Sequence, residues 1–121
     1  MEKLTIEATF ETPGVVLDPS SGLLELSGRS HPEDAVSFYK PVFYWIQAYI
    51  QETQPSTRIV IKLEYFNTAT SKVLMHLFSK FEESGNTEVH WYHFEEDEDM
   101  LESGKEFAEL VPLRFSYFTM E

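Results

Sequence analysis

The sequence predicts an α/β fold in which a mixed β-sheet, beginning with an N-terminal hairpin, is covered by about three helices. Stretches in which apolar and polar residues alternate, as in strands, occur three times before the first stretch with helical spacing. The two patterns then alternate to the end of the chain, so helices follow strands repeatedly after the hairpin. A length of 121 residues and a hydrophobic content of 42% fit one domain over residues 1–121.

The first three predicted strands precede any helix. Apolar residues alternate with polar ones over residues 4–10, and the turn-forming segment 12–14 ends this strand. Residues 15–17 and 23–26 flank residues 18–22, whose sequence Asp-Pro-Ser-Ser-Gly is typical of a turn between antiparallel strands. We therefore predict a β-hairpin here.

The first helix is predicted to begin at a capping box. Ser30 and Glu33 have the spacing at which each side chain bonds the other residue's exposed backbone N–H. Apolar residues recur at helical intervals through about Gln51, at Ala35, Phe38, Tyr39, Val42, Ile46 and Tyr49. Pro41 removes one backbone donor and crowds the Ser37 carbonyl, so we expect a kink or a split into two short helices there.

The middle of the chain predicts strand, helix, strand. Residues 58–66 carry apolar side chains on both faces at the ends of the strand, which indicates an interior position in the sheet. A helix is predicted from about Thr70, with Gly85 as its C-terminal stop. Residues 87–94 then read as another strand.

The last helix and strand follow an acidic run. Residues 95–99 are all acidic, and we interpret them as the first turn of the helix, where they complement its dipole. Gly104 weakens this helix and Pro112 ends it. Residues 113–118 are predicted as the final strand.

The segment from Asn67 to Lys72 links the interior strand to a helix, at the end of the sheet where α/β proteins usually place their function. The first N–H groups of a helix lack partners and carry the positive end of its dipole, so an anion is stabilised there. Asn67, Thr68, Thr70 or Ser71 could be a simple N-cap, which residue type alone favours. A hydroxyl here could also carry a phosphate.

Phosphorylation at this junction would change the surface more than the fold. A phosphoryl group on Thr68 would add about −1.5 to −2 charges. Helix N–H groups and Lys72 could hold it, while Glu64 and the net charge of −12 would oppose it.

Composition excludes several classes of function. The net charge of −12 repels phosphate backbones and anionic lipids, so neither nucleic acid nor a membrane is an expected partner. The absence of cysteine removes disulfides, thiolate catalysis and Cys-ligated metals. The N-terminal residues do not resemble a signal peptide, and no stretch has the length of a membrane span, so we expect a cytoplasmic protein.

The sequence indicates neither an enzyme nor a metal or cofactor site. His90 and His93 are the candidates for a metal site or an acid–base pair, but residues three apart on a strand point to opposite faces. The chain contains no Gly-x-Ser-x-Gly elbow, no P-loop and no Gly-rich dinucleotide turn. The adjacent carboxylates Glu33 and Asp34 are explained by capping.

The first helix carries more aromatic residues than one helix face can bury. These residues are Phe43, Tyr44, Trp45 and Tyr49. Part of the set could line a partner-binding surface, or all of it could pack under the N-terminal hairpin. The sequence leaves both interpretations open.

Several segments together resemble the SiaC family of bacterial regulatory phosphoproteins, nearly from end to end. The matching stretches are Leu4-Thr5-Ile6-Glu7-Ala8-Thr9 with Thr12-Pro13, Gly28-Arg29-Ser30-His31-Pro32-Glu33-Asp34-Ala35, Phe38-Tyr39, Pro41, Trp45, Leu63-Glu64-Tyr65-Phe66-Asn67-Thr68, Ser71-Lys72 and Trp91-Tyr92. The most specific is Glu-Tyr-Phe-Asn-Thr with the downstream Ser-Lys.

This resemblance implies a fold similar to the STAS-like anti-sigma-factor antagonists and a function as a partner switch. A serine/threonine kinase would phosphorylate the threonine, and a PP2C-type phosphatase would remove the phosphate. The unmodified form would bind and activate a target such as a diguanylate cyclase, which makes cyclic di-GMP and influences biofilm formation. By position in the motif, that threonine is Thr68.

The resemblance also assigns the neighbours of Thr68. The expected frame or partner-binding residues are Tyr65, Phe66, Asn67, Thr70, Ser71 and Lys72. The family pattern has small hydroxyl residues after the threonine, whereas this chain has Ala69, so Thr70 and Ser71 are the available second acceptors. The alternative function is a STAS-like module that binds a small ligand or anion. A closed cavity beside Thr68 would favour that module, and an open surface would favour the switch.

Overall fold

The computed structural model describes residues 1–52 and 56–121. In chain order the elements are β1 (Leu4–Ile6), β2 (Gly14–Asp18), β3 (Leu23–Ser30), α1 (Ala35–Ile50), β4 (Thr57–Phe66), α2 (Thr68–Ser79), β5 (Thr87–Phe94), α3 (Glu98–Leu110) and β6 (Arg114–Met120). The strands lie in one sheet in their chain order. The pairs from β1 to β3 are antiparallel, and those from β3 to β6 are parallel. This arrangement confirms the predicted mixed sheet with its hairpin, its covering helices and an interior β4.

The helices cover one face of the sheet. Each helix connects two neighbouring parallel strands, and every step moves in the same direction across the sheet, so right-handed crossovers put all of them on the same side. Burial along β4 agrees, because Ile61 and Leu63 are fully buried whereas Arg58 is exposed and Lys62 half-buried. We call the other side the open face; it includes Glu25, Lys62, His90, Tyr92 and Phe118.

The predicted first strand is too long at its C-terminal end. β1 ends at Ile6 because Thr9 and Thr12 close a turn of their own. The Thr9 N–H donates to the Thr12 carbonyl (2.9 Å), and the Thr12 N–H donates to Thr9 Oγ1 (3.0 Å). Phe10, predicted as a strand residue, is 74% exposed. A local side-chain bond therefore overrides the alternating pattern.

The predicted capping box at Ser30 is wrong. Ser30 is the buried last residue of β3, and the N-cap of α1 is Asp34. The Asp34 carboxylate accepts the Ser37 N–H (3.1 Å) and the Ser37 hydroxyl (2.9 Å), and these bonds hold the pKa of Asp34 below its usual value. A carboxylate is the stronger acceptor at the positive end of a helix, while the longer β3 carries Ser30 into the core.

The helix α1 is not split at Pro41. It runs without interruption from Ala35 to Ile50 with Pro41 inside it. Pro41 and Ser37 are both exposed, so water can bond the Ser37 carbonyl that has lost its donor. The predicted division into two helices is therefore wrong.

The helix α2 is shorter than predicted. It ends at Ser79, not at the predicted stop Gly85. Beyond it the Phe81 N–H bonds the Phe78 carbonyl and the Ser84 N–H bonds the Phe81 carbonyl, which is the tighter pattern of turns. Gly85, with a positive φ of 69°, follows these turns.

The helix α3 begins in the acidic run, as predicted. Asp97 is the N-cap and accepts the Met100 N–H (3.0 Å), and Glu98 and Asp99 lie in the first turn. Gly104 looks like a weak point in the sequence but has a packing reason. A Cβ atom there would lie 2.6 Å from Cδ1 of the fully buried Trp91. The glycine allows α3 to approach the indole ring.

We predict that Gly104→Ala destabilises the chain. Alanine would favour the helix by up to about 1 kcal/mol, but crowding a fixed indole ring costs about 1–3 kcal/mol. The control is Ser103→Ala at the neighbouring position of the same helix, because the Ser103 side chain is only half-buried. Urea unfolding should give Gly104→Ala the lower midpoint of the two. A midpoint above that of the unmodified chain would contradict the packing argument.

Candidate phosphorylation and docking site

The candidate site begins with a β-bulge near the end of β4. Gly28 pairs with Leu63, but Arg29 pairs with Tyr65, so Glu64 is an extra residue in β4. A bulge of one residue reverses which side chains face each side of the sheet.

The bulge directs the last two residues of β4 to opposite sides. Phe66 is half-buried on the helix side, with its ring centroid 6.2 Å from that of Trp91 and 6.4 Å from that of Phe107. Tyr65 is 45% exposed and lies beside Arg29. Tyr65 is therefore available to a partner, whereas Phe66 is mainly a core residue.

Asn67 is the N-cap of α2. Its side-chain oxygen accepts the Thr70 N–H (2.9 Å), and its own N–H donates to the Ser30 carbonyl (3.1 Å). The amide therefore fills the capping role that the sequence left open among Asn67 and three hydroxyl residues. Thr68 is the first residue of α2 and is exposed.

Thr70 belongs to the core and not to the surface. It is fully buried, and its hydroxyl donates to the Ser30 carbonyl (3.1 Å). Its Oγ1 also lies 2.8 Å from Ser30 Oγ, which lies 2.7 Å from the Tyr39 hydroxyl. Since the one hydroxyl proton of Thr70 is already donated, Ser30 donates to Thr70 and Tyr39 donates to Ser30.

This buried hydroxyl chain of Tyr39, Ser30 and Thr70 joins α1, β3 and α2. Burial raises the pKa of Tyr39 to about 12, so its phenol keeps its proton at neutral pH. The predicted frame residues therefore divide by location: Thr70 supports the site from inside, Ser71 is half-buried, and Lys72 is exposed.

A groove between α1 and α2 lies on the helix side of Thr68. It has a volume of about 720 Å³ and is open to solvent. Ala69 and Lys72 line it at the Thr68 end. The Phe43 ring packs edge-on against His76, with centroids 5.0 Å apart. We call this feature the α1–α2 groove.

The aromatic residues of α1 divide between the core and this groove. Trp45 and Tyr49 are buried and stacked, with ring centroids 4.9 Å apart, and the Trp45 indole N–H donates to the Glu2 carbonyl (2.8 Å). Phe43 and Tyr44 line the α1–α2 groove, and Tyr44 is 63% exposed. Trp45 and Tyr49 are therefore core residues, whereas Phe43 and Tyr44 remain candidates for a partner-binding surface.

A second surface lies beside Tyr65 on the other side of the loop. The Arg29 guanidinium carbon is 5.2 Å from the Phe10 ring centroid and 5.3 Å from that of Tyr65. The His31 ring contacts the same two rings edge-on. Sequence reasoning missed this cluster because its members come from three separate segments.

Neither a metal site nor a membrane span is present in the described ranges 1–52 and 56–121. His90 lies on the open face, while His93 is buried on the helix side and bonds the Phe94 carbonyl through Nδ1 (2.8 Å). No group of three or more His, Asp or Glu residues in these ranges could hold a metal ion. None of the helices found there combines the length and apolarity needed to cross a bilayer.

The model of one protein family, SiaC family regulatory phosphoprotein, matches residues 6–120. The chain belongs to the SiaC family. This finding confirms the resemblance seen in the sequence and the prediction of a regulatory protein that is not an enzyme.

Known proteins from Pseudomonas aeruginosa are similar to this SiaC-family chain. An uncharacterised protein of strain UCBPP-PA14 is 26% identical over 113 residues, which cover 90% of each chain. The crystal structure of the diguanylate cyclase SiaD in complex with its activator SiaC contains a chain that is 26% identical, with a TM-score of 0.91 and coverage of 97% of this chain and 99% of that one. The crystal structure of apo-SiaC matches with a TM-score of 0.85 and 26% identity, covering 98% of this chain and 99% of that one.

We predict that Thr70→Val destabilises the fold. Valine keeps the shape of threonine but leaves the buried Ser30 hydroxyl without its acceptor, which should lower the free energy of unfolding by about 1–3 kcal/mol. The matched control is Thr68→Val at the exposed start of α2, with an expected change within about 0.5 kcal/mol. Urea unfolding measures both. Equal effects would contradict the proposed role of the buried hydroxyl chain.

Proposed function

We propose that residues 1–121 form one cytoplasmic regulatory domain that acts as a partner switch on a diguanylate cyclase or a similar target. The unmodified chain binds and activates the target, a serine/threonine kinase phosphorylates Thr68, and a PP2C-type phosphatase restores the unmodified form. Membership of a family of regulatory phosphoproteins supports the proposal, as does the similarity to a complex of a diguanylate cyclase with its activator.

The observation that carries the proposal is the exposure of Thr68 at the first position of α2. Thr70 is fully buried and Ser71 is half-buried, so Thr68 is the hydroxyl at this helix start that a kinase could reach most easily. A phosphate on Thr68 would meet the free N–H groups of the helix start, and Lys72 lies one turn further along the same face.

Phosphorylation at this position would leave the fold in place. Asn67 already caps α2, so modification of Thr68 removes no capping bond. The change is confined to the surface, where a dianion adds a desolvation cost and repels an acidic or apolar partner. The α1–α2 groove, which Ala69 and Lys72 line next to Thr68, is open and not a closed cavity, and this favours the switch over the small-ligand module.

We predict that Thr68→Ala abolishes phosphorylation by the kinase of the same host and keeps the fold. Intact-mass analysis after kinase treatment should give one added phosphoryl group on the unmodified chain and none on the variant. Ser71→Ala is the matched control, because it removes a neighbouring hydroxyl and should still be phosphorylated. A phosphoryl group on Thr68→Ala would move the site to another residue.

We predict that Thr68→Asp weakens target binding, while Thr68→Ala keeps it. A negative charge at the docking surface should reduce affinity for the cyclase about tenfold or more, which corresponds to about 1.4 kcal/mol or more. Thr68→Asn has nearly the same shape as the aspartate variant without its charge, so its affinity should stay close to that of the unmodified chain. Calorimetric titration measures all three, and equal losses for Asp and Asn would argue against an electrostatic switch.

A further inference from the structure

We infer that the α1–α2 groove is a docking site for an acidic amphipathic helix of a protein partner. The inference deepens the proposed function by giving the chemistry of the segment that binds beside Thr68. It rests on that function only for the existence of a protein target.

The charge of the groove is opposite to that of the whole chain. The sequence has 21 Asp and Glu against 9 Lys and Arg, so a surface of average composition would be acidic. The groove is instead lined by Lys40, Lys72 and Lys80, and none of the described residues that line it is Asp or Glu. The net charge of −12 repels an acidic partner at long range, so these lysines mark the place where such a segment finds local attraction.

The shape of the groove suits a helix. Lys72 and His76 on α2 and Lys80 at its C-cap follow one another at intervals of four residues, so they form a stripe about 12 Å long on one face. The facing side of α1 contributes Phe43 and Tyr44. A third helix could place an apolar seam on these rings and carboxylates, spaced four apart, against the stripe.

Apolar exposure on α1 supports a protein occupant over a small anion. Val36 is 80% exposed and Tyr44 is 63% exposed, and both line the groove. An anion would use the lysines but leave these side chains in water, whereas an amphipathic helix would cover both.

The groove gives phosphorylation a direct effect on docking. Lys72 lies one turn after Thr68, at a spacing where a phosphothreonine and a lysine form an ion pair. Such a pair would take Lys72 away from the partner and place a dianion at the end of the groove, where it repels the partner's carboxylates.

The test is photo-crosslinking of the full chain in its native host, with p-benzoylphenylalanine at the position of Tyr44. Sequencing the crosslinked peptide should give an acidic segment with apolar residues at helical spacing. The matched control carries the same group at Phe118, an exposed aromatic residue on the open face, and should not capture that segment. The inference is overturned by a basic or non-helical peptide, by a second copy of this chain, or by no crosslink at Tyr44.

Charge reversal then tests the role of the lysines. Binding of a synthetic peptide with the crosslinked sequence should weaken about tenfold or more in Lys40→Glu and in Lys72→Glu. Glu102→Lys on α3 changes an exposed charge outside the groove and should leave affinity unchanged. Unchanged affinity in both lysine variants would overturn the inference.

A Thr68→Asp arm separates the inference from the switch. If the Tyr44 position still captures the acidic helix at full yield in Thr68→Asp, the switch proposal fails and the docking inference stands. If Thr68→Asp loses its target but the Tyr44 position captures no acidic helix, the docking inference fails and the switch stands.

Discussion

The buried chain of hydroxyl groups from Tyr39 through Ser30 to Thr70 is the contact on which the geometry of the site depends. It joins α1, β3 and α2 at one buried point. Leaving a polar group unpaired there costs more free energy than a hydrogen bond at the surface contributes. Each hydroxyl proton has one acceptor, so a shift of any one of the three elements leaves a group unsatisfied. Thr68 and the α1–α2 groove take their positions from the elements fixed there.

The topology of the sheet explains why such a groove exists. Successive right-handed crossovers place α1 and α2 side by side on the same face, so their outward ridges form the walls of a groove. Both helices bury one face against the sheet, through residues such as Ile46 and Leu74, and leave the opposite face to solvent. The fold thus supplies the groove, and the side chains of its walls supply its positive charge.

The order of the elements could be predicted from the sequence because each element depends on local spacing. The strand before Asn67, the helix after it and the acidic start of α3 all follow from residues that are neighbours in the chain. Ser30 could not be placed in this way, because its partner Thr70 lies 40 positions away and its local context is equally typical of a cap. The choice between Ser30 and Asp34 depends on where β3 ends, which is a tertiary property.

The site was predictable in part for the same reason. A short contiguous motif points to Thr68 as the candidate residue. The difference in burial between Thr68 and Thr70, however, depends on which side chain faces the core. The groove needs two helices, and each of them alone shows only an ordinary amphipathic pattern. Its three lysines, Lys40, Lys72 and Lys80, are separated from one another in the sequence. No local run of positive charge therefore reveals them.

The bulge at Glu64 changes which side of the sheet the last two residues of β4 face, just before the start of α2. An unbroken strand would send Tyr65 toward the helices and Phe66 toward the open face; the extra residue exchanges these directions. The last two side chains of β4 therefore point to opposite sides of the sheet. The Phe66 ring packs in the core, and the Tyr65 ring lies beside Arg29 on the other side. Thr68 follows soon after these two residues, so a phosphate there would adjoin two unlike surfaces: one apolar and basic between helices, and one built of rings in edge-on contact.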